Sequence, residues 1–142
     1  MHVSDTDRSL LQFDLASIPN GASVSNAQLI LCFSSIAPSA AGRIHELNRP
    51  TSGWTETTVT WNNQPGGNSG AAVTWTIPSV PGCISLDVTV PVQTWVGGAV
   101  NYGWRITDQD EATAALADVQ YITREDAVPG LRPTLNVTYT AP

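Results

Sequence analysis

The chain has 142 residues, the length of one ordinary domain and too short for two, and its 42% hydrophobic content can bury a core without a metal or a dense set of disulfides. Its net charge is −6 and lysine is absent, which argues against duplex nucleic acid and anionic lipid as partners, because both are bound by neutralising phosphate. No apolar run approaches a membrane span, so membrane insertion is not expected.

Ser9 to Leu15 alternates, with Leu11, Phe13 and Leu15 on one side, and predicts a half-buried strand. Ile18-Pro19-Asn20-Gly21 is a turn. Ala27 to Phe33 is apolar on both faces, as a central or covered strand would be. After a small-residue loop at Ala37 to Gly42, Arg43 to Leu47 reads as a short strand. Thr57 to Trp61 alternates and predicts a strand with Val59 and Trp61 inward. Val73, Trp75 and Ile77 mark another, and Ile84 to Val88 a further one. Val92, Trp95 and Val96 have helical spacing and precede Gly97-Gly98, so residues 90–96 predict one or two helical turns. Trp104 to Thr107, Val119 to Arg124 and Leu135 to Thr140 complete the strands, with an acidic, Ala-rich loop at Gln109 to Asp118. Many short strands without strand–helix alternation predict an all-β fold, a jelly-roll-like antiparallel β-sandwich forming a single domain over residues 1–142.

Charged residues are only 13%, and Thr, Ser, Asn and Gly fill the polar surface, as in secreted or cell-surface β proteins. The first nine residues lack a hydrophobic signal core, so a secreted form would carry its signal upstream. Cys32 and Cys83 are either one disulfide between two strands in an oxidising compartment or two buried thiols. Only His2 and His45 are present, and no nucleophile–base signature surrounds either, so no enzyme is expected. Zinc lacks its paired Cys and His spacing. No cofactor is required; Asp108, Asp110 and Glu111 offer several oxygens in one loop for a structural calcium ion, with a plain solvated acidic loop as the alternative. Asp5 and Asp7 offer a smaller pair.

Four ordered phrases resemble the DNRLRE-domain (disaggregatase-related repeat) family. They are Arg8-Ser-Leu-Leu-Gln-Phe-Asp-Leu15 with Ile18-Pro19 and Gly21-Ala22; Trp54-Thr-Glu56 with Val59-Thr-Trp-Asn62 and Pro65; Leu86-Asp-Val-Thr89 with Trp95 and Asn101-Tyr102-Gly103; and Thr123-Arg-Glu125 with Arg132-Pro133, Leu135, Val137 and Tyr139. The resemblance implies a sandwich on extracellular proteins, often beside polysaccharide-active modules, and some members resemble carbohydrate-binding modules, including ones for acidic polysaccharide. Relatives have further strands before the arginine matching Arg8, so here the domain is either trimmed or completed by a neighbour. Their residue after Asn-Tyr-Gly is aliphatic, whereas this chain has Trp104.

A sugar ring needs an exposed aromatic face and polar groups that fix its orientation. Trp61, Trp75 and Trp95 read as core. Trp54 is a platform or a plug over the sandwich end, and the motif favours the plug. Trp104, after a tight turn, is the expected platform, with Tyr102, Arg105 and Arg124 beside it. Arg8, Arg124 and Arg132 are expected to pair with Asp14, Asp87 or Glu125 and pin strand ends. The expected partner is thus a polysaccharide, neutral or acidic. The alternative is a structural subunit of an appendage, fibre or layer, joined to copies of itself by strand addition.

Overall fold

A computed structural model describes residues 1–142. Nine strands form two antiparallel sheets: β1 (His2–Val3), β2 (Ser9–Leu11), β3 (Ser23–Ile36), β4 (Ile44–Asn48), β5 (Val73–Thr76), β6 (Cys83–Asp87), β7 (Trp104–Asp108), β8 (Val119–Tyr121) and β9 (Thr134–Thr140). One sheet runs β1-β8-β3-β6, with β9 also paired to β3; the other runs β2-β7-β4-β5. One helix, α1 (Thr89–Val96), lies between β6 and β7 in the chain. The protein is an all-β sandwich.

Period-2 alternation builds the core. β3 sends Leu29, Leu31 and Phe33 inward, and β7 sends Trp104 and Ile106, all under 5% exposed. Leu47 of β4 and Val92 of α1 join the same buried cluster. Each such side chain contributes about 1.5–3 kcal/mol by leaving water. Apolar residues on both faces of β3 follow from its central place: it pairs with β6, β8 and β9. Cys32 and Cys83 are directly paired in the β3–β6 register and form a disulfide.

Helix α1 takes over where β6 ends. The Asp87 carboxylate accepts the Thr89 N–H at 2.9 Å and its hydroxyl at 2.7 Å, which starts the helix and holds that carboxyl below its usual range. Pro91 sits in the first turn, where its missing N–H is not needed. The backbone of β3 would be left unpaired here, but Thr89 Oγ1 accepts the Ala27 N–H at 2.9 Å and Gln93 Oε1 accepts the Val24 N–H at 2.7 Å.

Between the sheets lies a polar chain. The Trp75 indole N–H donates to the Tyr121 hydroxyl at 3.2 Å, and that hydroxyl lies 2.7 Å from His45 Nδ1. The other ring nitrogen, His45 Nε2, lies 3.6 Å from Asp108. Asp108 in turn grips Arg43 in a bidentate pair at 2.6 and 2.8 Å.

The strand predicted at Thr57 to Trp61 does not form. Residues 56–58 and 61–63 are turns, and Val59 N–H bonds back to the Thr55 carbonyl instead of to a neighbouring strand. Asn63 holds this segment as a turn instead, donating to the Thr58 carbonyl and accepting the Thr60 N–H. Other bounds shift: β2 stops at Leu11 and β8 at Tyr121, while β3 extends well beyond Ala27 to Phe33 on both sides. The two-residue β1 pairs with β8.

Candidate functional site

A groove of about 1180 Å³ runs along β2 and the segment that follows it to Ala16. Leu10, Phe13, Leu15, Trp54 and Trp95 supply apolar lining, and Asp14, Glu56, Arg124 and Glu125 supply charged groups. Asn101 shapes one end. Its amide donates to the Phe13 carbonyl at 2.9 Å, its side-chain oxygen accepts the Gly103 N–H at 2.8 Å, and its backbone carbonyl accepts from Gln12 Nε2 at 2.7 Å. Gly103 has φ +74°, and a Cβ there would collide with the Leu11 carbonyl and Gln12, so only glycine lets this turn lie on β2.

Trp54 is half-buried and fixed: its indole N–H donates to the Tyr102 carbonyl at 2.8 Å. Arg124 is 71% exposed on its side chain, and its guanidinium joins Glu56 at 2.9 Å and Glu125 at 2.8 Å. Such exposed pairs contribute little stability. They tie residues after β8 to the Trp54 loop and hold three polar side chains beside the groove.

Two of the predicted residues, Trp54 and Arg124, therefore line the groove. Tyr102 stands behind Trp54 and holds it through its backbone carbonyl. Trp104 is not a platform. It is 1% exposed, with the Trp95 ring centroid at 4.7 Å and that of Phe13 at 6.2 Å, both edge-on. Strand alternation explains this: Trp104 pairs with buried Leu11 and shares the inward face with Ile106. Arg105 faces the other way and donates to the Pro65 carbonyl at 2.7 Å, clamping the loop before β5. Burial, and then the neighbouring Arg8, lower its pKa.

The expected calcium ligands do not converge. Both Asp108 oxygens are taken by Arg43, both Glu111 oxygens by Arg8 at 2.5 and 2.6 Å, and Asp110 accepts the Thr113 hydroxyl at 2.8 Å. Burial pushes the Asp108 carboxyl up, but hydrogen bonds from Arg43 and the Asp110 amide more than reverse this and leave it low. No group of three or more His, Cys, Asp or Glu side chains could hold a metal. Asp7 closes a local turn with the Ser4 and Thr6 hydroxyls.

The expected ion pairs are partly exchanged. Arg124 meets Glu125, but Arg8 meets Glu111 and Arg132 donates to the Asp126 carbonyl at 2.8 Å. Asp14 accepts the Ala16 N–H at 2.8 Å.

A groove with a pinned tryptophan, apolar lining and a polar margin is the chemistry that sugar rings require. The profile of carbohydrate-binding module family 96 matches residues 2–139. The chain belongs to this family. No curated protein matches it. In this module the groove-lining residues that sequence reasoning did not single out are Leu10, Phe13, Leu15, Asp14, Glu56 and Glu125. Phe13, Asp14 and Leu15 belong to the first family-like phrase, and Glu56 and Glu125 to two others, so their clustering was the available signal.

Proposed function

We propose that this module binds an uncharged polysaccharide chain in the groove beside β2, changes no bond in it, and so attaches an extracellular protein to its substrate. The observation that carries this reading is the groove itself, with Trp54 fixed among apolar side chains and hydrogen-bonding groups. The DNRLRE-like phrases support it, since all four contribute to the lining. The disulfide supports an oxidising, extracellular setting. Glu56 and Glu125 are both bound to one guanidinium, which leaves neither prepared to give a proton to a leaving group.

The charge ledger selects the ligand. Lysine is absent. Arg8 and Arg43 are held by carboxylates, and Arg105 and Arg132 by backbone carbonyls. Arg124 is the groove's arginine, and it faces Asp14, Glu56 and Glu125. A polyuronate would meet net repulsion there. Affinity electrophoresis against hydroxyethylcellulose, xylan, galactomannan, laminarin and a polyuronate tests this. Retardation by a neutral polymer, lost in Trp54→Ala, is expected; retardation by the polyuronate alone overturns the charge assignment, and retardation by none overturns the function.

A second reading rests on one observation: the groove follows β2, which pairs with β7 and with no other strand. An extended segment from a second copy would complete that sheet by strand addition. Filaments or a concentration-dependent oligomer in size-exclusion chromatography, with no glycan retardation, would favour it.

A further inference from the structure

Trp61 is 50% exposed, whereas Trp95 and Trp104 are at most 9% exposed and Trp54 and Trp75 are half-buried. A ring left half in water forgoes much of the stabilisation that burial gives, so its position has no account in the core. It is also not loose. The Arg8 guanidinium lies over the ring, 4.7 Å from its centroid. Glu111 holds Arg8 from the other side, and Arg8 Nη1 donates to Gln64 Oε1 at 3.2 Å. Gln64 closes the circuit by donating to the Trp61 carbonyl at 3.0 Å. Asn63 locks the preceding backbone: its amide donates to the Thr58 carbonyl at 2.9 Å, and its oxygen accepts the Thr60 N–H and hydroxyl. The ring is thus held in place while half of it stays open to solvent.

That ring borders a second concavity of about 210 Å³, whose other side is Thr6, Asp7 and Arg8. Thr6 and Thr60 offer hydroxyls and Asp7 a carboxylate, the groups that orient sugar hydroxyls. Leu10 lines both this concavity and the large groove, so the two meet across it. Leu10 points outward from β2, opposite Arg105 in the β2–β7 register. Arg8 precedes β2 and Gln12 follows it, about 13 Å further along an extended chain at the usual rise. Trp61 stands at the Arg8 end. Trp54, tied to Tyr102, stands at the Gln12 end.

We propose that Trp61 is a second sugar-stacking platform, so that one polysaccharide chain runs from the groove across Leu10 onto Trp61 and is held at two aromatic stations. This rests on the groove reading above and adds a requirement for chain length. A short oligosaccharide fills the groove alone, and a longer one gains the second ring.

The test is titration calorimetry with short and long oligosaccharides of whichever polymer retards the module, on wild type, Trp61→Ala, Trp61→Phe and Trp54→Ala. Wild type is expected to bind the long chain roughly tenfold more tightly than the short one, the size of one aromatic contact. Trp61→Ala is expected to remove that gain and leave the short chain unaffected, and Trp61→Phe to keep most of it. Trp54→Ala is expected to weaken both. Equal loss for short and long chains in Trp61→Ala, or no loss for either, overturns the second platform while leaving groove binding intact. Loss of the groove reading shows separately, as Trp54→Ala without effect. Acrylamide quenching of wild-type fluorescence gives a readout that needs no variant: the long oligosaccharide should protect an accessible tryptophan that the short one leaves open, and equal protection by both overturns the proposal.

Discussion

His45 is fully buried, and the fold holds it neutral. Burial pushes its imidazole down to about 4; Asp108 nearby pulls it up, and Arg43 pushes it down again. An unfolded chain takes up that proton near the ordinary value of 6.5. Between about 6.5 and 4 the unfolded state therefore binds more protons, and stability falls as the pH falls. The loss amounts to on the order of 3 kcal/mol at the lower end of this window and vanishes above it. Asp108, held low, adds a further loss in stronger acid, because protonation releases Arg43. Urea midpoints across this range should slope for wild type and flatten for His45→Gln; an equal slope in both would remove His45 as the cause. The tryptophans show what single residues reveal before folding. The spacing of Trp104 to Ile106 marks it as core, although the tight turn before it reads as a place for an exposed ring. Trp61 was not legible. Its neighbours alternate like a strand, but local turns closed by Asn63 and the Thr55 carbonyl hold the segment, and the alternation carries no sign of them.

At the scale of elements, the strand pattern was readable for every strand but the two-residue β1, and β3, β4, β6, β7 and β9 lie within a few residues of their predicted places. The groove was less readable because four separate loops and an edge strand build it, and spacing carries no information about which loops meet. The disulfide joins elements already hydrogen-bonded, Cys32 on β3 and Cys83 on β6, and closes a sequence separation of 51. Its effect falls mainly on the unfolded chain, which loses conformational freedom, and removal should lower unfolding stability by about 2–4 kcal/mol. Because the β3–β6 ladder remains, the Cys32→Ser, Cys83→Ser pair should keep a wild-type far-ultraviolet spectrum and shift only the denaturation midpoint. A collapsed spectrum in folding buffer would show that the bond does more than constrain the unfolded chain.

For the molecule as a whole, a net charge of −6, with five of the six arginines held by carboxylates or backbone carbonyls and Arg49 buried, means that long-range attraction plays little part in recognising an uncharged chain. Retardation by a neutral polysaccharide should be the same at low and high sodium chloride, and a marked fall with salt would point to a charged ligand. One further consequence comes from β3. Its fourteen residues are made early, yet they wait for partners at residues 83–87, 119–121 and 134–140. During synthesis this segment, apolar at its centre, stays bare until Cys83 appears, and sheet closure must await residues 134–140. Ser23, Ser25, Asn26, Ser34 and Ser35 interrupt it with polar side chains, a guard against sticking to other nascent chains. Oxidation to Cys83 can then fasten the first partner while the final one is still being synthesised, so the order of assembly is written into the order of the strands.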